Sequence, residues 1–224
     1  MIFAKIDFIN LLPFYTYLKK NLKSTQAKQI VNYKKSYPSK INKQFKRRHI
    51  DAAIISSIAS KRCRCLDMGI VAQNEVLSVL ALKGKYEKDY QSDTSNALAK
   101  ILGIEGRVLI GDKALYYYHN AKDEDIIDMA QLWKEKYGLP FVFARMCFNK
   151  HEQYLKNMAE NFLSTKVKIP QYILNHYSQR SGISNKQILH YLTKISYKIS
   201  YKERKSLKLF LKLAKKEGLK FGNN

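Results

Sequence analysis

Gly138-Leu-Pro-Phe-Val-Phe-Ala-Arg145 constrains this chain more than any other stretch. Four consecutive apolar or aromatic residues follow a Gly-Leu-Pro turn. They read as a buried strand with both faces covered. Trp133, the only tryptophan, lies just upstream on a short helical run from Asp128 to Lys136. A strand entered through Gly-Leu-Pro and left through Ala-Arg has the character of a return crossing between two lobes. Its expected partner is Val76-Leu-Ser-Val-Leu-Ala-Leu82, the other long apolar run in mid-chain. Pairing them divides the chain into a large lobe (1–80 with 143–224) and a small one (81–142), with a cleft at the hinge.

At 224 residues the chain is one domain by length, or one and a half, and can bury a sizeable core. No apolar run approaches the roughly 20 residues that span a bilayer. The first residues, Met1-Ile-Phe-Ala-Lys-Ile-Asp7, have neither a basic start nor an apolar core, so no signal peptide is expected and the cytoplasm is. Three cysteines suit a reducing compartment. Cys63 and Cys65 flank one residue and Cys147 stands apart, a weak pattern for a metal and a better one for spare thiols.

The formal charge of +23 is the unusual number. It suggests nucleic acid or an anionic surface. However, the lysines are spread along the whole chain, and no nucleic-acid motif accompanies them. Few of the sixteen tyrosines alternate with basic residues as a stacking platform requires. A lysine-biased solvated surface is the simpler reading, and its field also draws in a small polyanion.

Taken in order, Ile2 to Ile9 reads as a strand that ends at Asn10-Leu-Leu-Pro13. Pro13 belongs in a first helical turn, and the local pattern favours Asn10 as its cap. The functional alternative points the amide into a cleft at the strand's carboxyl end, where open α/β sheets bind ligands. A short strand is expected over Gln29–Tyr33. A helix from Pro38 follows, with Ile41 and Phe45 on one side. Asp51-Ala-Ala-Ile-Ile-Ser-Ser57 is a buried strand closed by two hydroxyls. Ser56 and Ser57 either cap a helix or, with helical N–H groups, hold a carboxylate. Leu66–Gln73 and Val76–Leu82 read as further strands.

Gln91 to Leu102 is a second helix start rich in hydroxyls, capped by Ser92 or Asp93, with Thr94 and Ser95 inside it. Two such polar helix starts facing each other across a cleft would suit a dicarboxylate. Val108-Leu-Ile110 is a strand, and Gly111-Asp112 a sharp turn into a helix. Gly111 permits a positive φ or the close approach of a ligand. Asp112 either caps that helix or holds an opposite loop when the cleft closes. Beyond the return strand the chain reads as entirely helical. Ser184 to Gln187 and Ser200 to Glu203 fit the capping box, and Gly218 a C-terminal cap.

No pair of histidines or cysteines has a recognised metal spacing, and no P-loop, dinucleotide fingerprint or nucleophile elbow is present. The polar residues at the expected strand ends are Asn, Ser, Thr and one Asp. Such a set holds and orients an anion better than it does strong acid–base work. The residues by themselves point to a two-lobed binder of a small anion.

These segments resemble the chorismate dehydratase family of the futalosine route to menaquinone. The resemblance rests on Ile6 to Tyr15, Asp51 to Ser57, Val76 to Leu80, Asp93-Thr-Ser95, Leu109-Ile-Gly-Asp-Lys-Ala-Leu115, and Leu132-Trp133 with Gly138 to Ala144. They occur in the family's order over residues 1 to about 145. Ile-Gly-Asp-x-Ala-Leu with Gly-Leu-Pro-Phe-Val-Phe-Ala is the specific part. Arg48-His49, Tyr137 and Arg145-Met146 depart from the family's usual residues, at the expected cleft edge.

The resemblance implies an α/β, two-lobed fold like type II periplasmic binding proteins, with two hinge strands and a helical C-terminal segment. It implies a cytoplasmic hydro-lyase that converts chorismate to 3-[(1-carboxyvinyl)oxy]benzoate without metal or organic cofactor, nucleic acid or membrane. Asn10 would hydrogen-bond the reacting region. Ser78, with Ser56, Ser57, Thr94 and Ser95, would hold carboxylates, and Gly111 and Asp112 would shape the small-lobe wall. The alternatives are the dihydroxynaphthoate synthase of the same pathway and fold, or a non-catalytic small-anion-binding protein.

Overall fold

The computed structural model describes residues 1–21, 35–121 and 125–219. The strand expected at Gln29–Tyr33 lies outside them. The described chain forms two sheets flanked by helices, the mixed α/β arrangement that the pattern of apolar runs leads one to expect. Five strands make the larger sheet: β1 (Phe3–Ala4), β2 (Ala52–Ser56), β7 (Phe141–Phe148), β3 (Cys65–Ala72) and β8 (Ile195–Lys198), in that spatial order. β1 runs parallel to β2, and the other neighbours are antiparallel. Three antiparallel strands make the smaller sheet: β5 (Gly106–Ile110), β4 (Val79–Lys83) and β6 (Ile126–Asp128).

β7 is the strand expected from Gly138 to Arg145, and its burial has the expected cause. It is flanked on both edges, by β2 and β3, and every residue but Arg145 is buried. The expected pairing of Val76–Leu82 with this strand does not form. A strand has two edges, and β7 uses both within the larger sheet. β4 lies between β5 and β6 and uses both of its own. The two runs are therefore neighbours of the crossings, not partners across them. Residues 73–78 carry the chain out, and residues 138–140 bring it back.

The outgoing crossing is pinned by Asp128, whose Oδ2 accepts from the amides of Val76 (2.8 Å) and Leu77 (2.7 Å). Leu77 holds a left-handed φ of 59° there. On the return, Gly138 ends α5 (Met129–Tyr137) at φ 68°, which explains the glycine of Gly-Leu-Pro. Trp133 of α5 is fully buried. It packs edge-on to Phe141 and Phe210 and donates Nε1–H to Ser206 Oγ at 3.0 Å. The helix before the return strand is thereby tied to α9 (Tyr201–Lys216) at the end of the chain.

The first strand is shorter than the expected Ile2–Ile9. Past Ala4 an isolated bridge of Lys5 with Lys35 remains, and the next amides find side chains. Ile6 donates to the Tyr15 hydroxyl (3.1 Å) and Ile9 to Asp112 Oδ1 (2.9 Å). Ile9–Leu11 is then one turn of 3₁₀ helix leading into α1 (Leu12–Asn21). α2 (Pro38–Lys46) buries Ile41 and Phe45 as expected. α3 (Asp93–Leu102) is capped by Ser92, which accepts from Ser95 N. α4 (Gly111–Asn120) springs directly from β5.

The C-terminal segment is α6 (Glu152–Ser164), α7 (Gln171–Ser181), α8 (Asn185–Thr193), β8 and α9. It is not entirely helical, because β8 covers the edge of β3 that β7 leaves free. Both expected capping boxes are present, at Ser184/Gln187 and Ser200/Glu203. The cysteines depart from the spare-thiol reading. Cys65 and Cys147 face each other in the register of β3 and β7 and form a disulfide, and only Cys63 is free.

Candidate active site

Asn10 sits in the 3₁₀ turn, and its backbone is held on two sides. Its carbonyl accepts from the Tyr197 hydroxyl at 2.6 Å. The preceding amide, Ile9 N–H, is bound to Asp112. The Asn10 side chain caps no helix, contrary to what the local pattern favours. Its Oδ1 is buried with no protein partner. An unpaired buried carbonyl oxygen costs stability, which makes Oδ1 a candidate acceptor for a ligand.

Ser78 lies where the outgoing crossing becomes β4. Its Oγ accepts from Tyr191 OH at 2.7 Å, and its carbonyl accepts from Gly111 N–H at 2.8 Å. Gly111 has φ 65°, and a Cβ there would stand 2.9 Å from the Phe8 ring. Glycine is therefore required both by conformation and by the close approach of the Asn10 segment. Burial pushes the Asp112 carboxyl up from the ordinary aspartate range, against the pull of Ile9 N–H and Arg180. Arg180 of α7 bridges Asp112 Oδ2 (2.7 Å) and Asp7 Oδ2 (2.5 Å). Burial also pushes Asp7 up, but hydrogen bonds from Lys35, Tyr177 and Lys5 win and hold its carboxyl well below the usual range. Asp112 does not cap α4, whose start carries no side-chain cap; both of its oxygens go instead to the Ile9 amide and Arg180. The structure brings Asn10, Ser78, Gly111 and Asp112 into one cluster.

Ser56, Ser57, Thr94 and Ser95 fall where β2 ends against the start of α3. Ser56 Oγ accepts from Asn42 Nδ2 at 2.6 Å, and Asn42 Oδ1 takes the Ser56 amide in return. Thr94 Oγ1 accepts from Ile58 N–H (3.1 Å), and Ser95 Oγ accepts from Ser92 Oγ (2.8 Å). With Ser78, that makes four hydroxyls whose lone pairs are engaged by a protein donor. None of the four donates its own hydrogen to a partner among the described residues. A hydroxyl held as an acceptor on one side is left to act as a donor on the other. Ser57 is different: it donates Oγ–H to the Val142 carbonyl at 2.6 Å, and its amide donates to the Phe143 carbonyl. It clamps the return crossing and has no hydrogen left for an anion.

The set is suited to holding carboxylates by neutral donors. Among the described residues no group of three or more His, Cys, Asp or Glu is placed to hold a metal ion. No helix of the described residues is long and apolar enough to cross a membrane. Sequence reasoning missed Tyr191, Tyr197 and Arg180. Tyr191 lies three residues after Ile188 on the buried side of α8, so it reads as core. Only its hydroxyl, which must find a partner when buried, could have signalled more.

A family model described as menaquinone biosynthesis matches residues 90–216, over half of the chain. The chain belongs to that family. A chorismate dehydratase from Campylobacter jejuni subsp. jejuni serotype O:23/36 (strain 81-176) is 50% identical over 221 residues, covering 96% of this chain and 98% of its own. Among solved structures, protein AF1704 from Archaeoglobus fulgidus shares the fold with a TM-score of 0.64. It covers 96% of this chain and 97% of its own at 13% identity.

Proposed function

We infer that the chain is a chorismate dehydratase of menaquinone biosynthesis. The observation that carries this reading is 50% identity to a chorismate dehydratase over nearly the whole of both chains. The reaction removes the proton at the ether-bearing ring carbon and the neighbouring hydroxyl. The ring carboxylate acidifies that proton through the diene. As the C–H bond breaks, its electron pair enters the ring. The C–O bond then breaks, water leaves, and the aromatic ring of 3-[(1-carboxyvinyl)oxy]benzoate is complete.

Aromatisation drives such a reaction, so the protein's tasks are positioning and stabilising carboxylate charge. Ser56, Ser78, Thr94 and Ser95 fit the second task because each has a hydrogen to donate. Asn10 fits the first, its free Oδ1 accepting from the reacting region. The base is the substrate's own enolpyruvyl carboxylate, which no protein group need replace. No metal or organic cofactor takes part. The chain works in the cytoplasm, and its positive field gathers a small dianion, not nucleic acid or a membrane. Residues 1–80 with 143–224 form one lobe and 81–142 the other, and they close over chorismate.

The test is purified protein with chorismate, followed by mass spectrometry. A product lighter by one water that keeps the enolpyruvyl ether, formed in the presence of chelator, supports the reading. Chorismate that binds and stays intact would leave a binding protein. Chorismate that neither binds nor reacts would separate fold from function.

A further inference from the structure

The Tyr191 hydroxyl reaches Ser78 from α8, far from it in sequence, and Tyr191 is only 1% exposed. A buried tyrosine usually settles its hydroxyl on a backbone carbonyl of the scaffold, as Tyr197 does on Asn10. Tyr191 instead gives its hydrogen to a side chain of the site, Ser78 Oγ, at 2.7 Å.

We propose that Tyr191 is a positioning residue for the dehydration, fixing Ser78 as a hydrogen-bond donor toward chorismate. The direction of the bond carries the argument. Ser78 has one hydrogen and two lone pairs. Tyr191 fills a lone pair, so the hydrogen is what Ser78 has left to offer. One phenol thus sets the polarity that the Ser78 hydroxyl presents to the substrate. Burial raises the phenol well above the ordinary tyrosine range, so it stays protonated and keeps this polarity at any working pH.

The inference rests on the dehydratase reading, and the experiment keeps the two apart. Wild-type enzyme, Tyr191→Phe, Ser78→Ala and the double variant are compared for kcat, KM and Tm with chorismate. Phenylalanine keeps the ring and removes only the hydroxyl. The expected result is a fall in kcat of about tenfold or more with KM within about twofold. In the Ser78→Ala background the same substitution should have much less effect on kcat, because the partner through which Tyr191 acts is already gone. A Tyr191→Phe enzyme within twofold of wild type overturns the inference and leaves the dehydratase reading standing. So does an equal fold loss in both backgrounds, the outcome of a merely structural role. A wild-type chain that leaves chorismate unchanged overturns the reading, and this inference with it.

Discussion

Asp112 divides its two oxygens between two jobs, and two substitutions separate them. Oδ1 accepts from Ile9 N–H at 2.9 Å, across the cleft and one residue before Asn10, while Oδ2 accepts from Arg180 at 2.7 Å. Asp112→Asn keeps an acceptor for Ile9 and gives up the charge. Arg180 is about a third exposed and retains Asp7, so screening limits the loss to about 1–2 kcal/mol. Asp112→Ala also strands the Ile9 N–H, bringing the total to about 3 kcal/mol. At about 2–4 °C per kcal/mol for a chain this long, the alanine variant should melt about 6–12 °C lower, and the asparagine variant about half that, by circular dichroism. Turnover discriminates more sharply. Releasing Ile9 lets Asn10 drift, which should lower kcat at least about tenfold in the alanine variant and far less in the asparagine one. Equal loss of turnover in both would show that the charge, not the bond to Ile9, is what matters. An alanine variant with unchanged turnover would show that closure does not position Asn10 at all.

Asn10→Ala should melt within about 2 °C of wild type, since Oδ1 makes no protein bond, yet lose about a hundredfold in kcat; normal turnover would remove Asn10 from the mechanism. The Asp7 carboxyl is held below its unfolded range by its partners, so its stabilisation is fully present above about pH 4 and lost as pH falls below that. The gap in Tm between wild type and Asp7→Asn should therefore be constant from pH 8 to 5 and narrow below pH 4. A gap unchanged at pH 3 would contradict the assignment. Protein denatured without reductant should show one reactive thiol, Cys63, and three after reduction; three at the outset would remove the Cys65–Cys147 bond.

What the sequence made legible was local. β2 and β5 are apolar runs of strand length. Ser92, Ser184 and Ser200 each stand immediately before a helix, and Gly138 marks a helix end through its own φ. What it hid was pairing at a distance. Val76–Leu82 and β7 look like partners because both are apolar and mid-chain, and nothing in either run says that β2 and β3 will take both edges of β7. β8 is four residues between a helix and a capping box, too short to show a period. The two β2 serines look alike in sequence. Adjacent residues at a strand end point to opposite sides, so Ser56 meets Asn42 while Ser57 meets the return crossing. The anion site was thus legible in composition, but its polarity was not, because polarity is set by partners such as Tyr191 from the far end of the chain.

Those partners also join closure to chemistry. Ser78, Thr94 and Ser95 are at most 2% exposed, so on the proposed two-lobed reading chorismate would reach them only when the cleft opens. Polar bonds between the proposed lobes near the site include Asp112 with Ile9, Asp112 with Arg180, Thr94 with Ile58, Asn42 with Asp93 at 3.5 Å, and Ser39 with the carbonyls of Tyr90 and Gln91. At about 0.5–1.5 kcal/mol net for each, they would favour the closed form by several kcal/mol, and substrate entry would draw on a minor open form. The first of these bonds fixes the residue before Asn10, and the third occupies the lone pair that makes Thr94 a donor. On the proposed two-lobed reading, opening the cleft would undo the site's polarity as well as its shape, so exclusion of water and assembly of the site would arrive in the same movement.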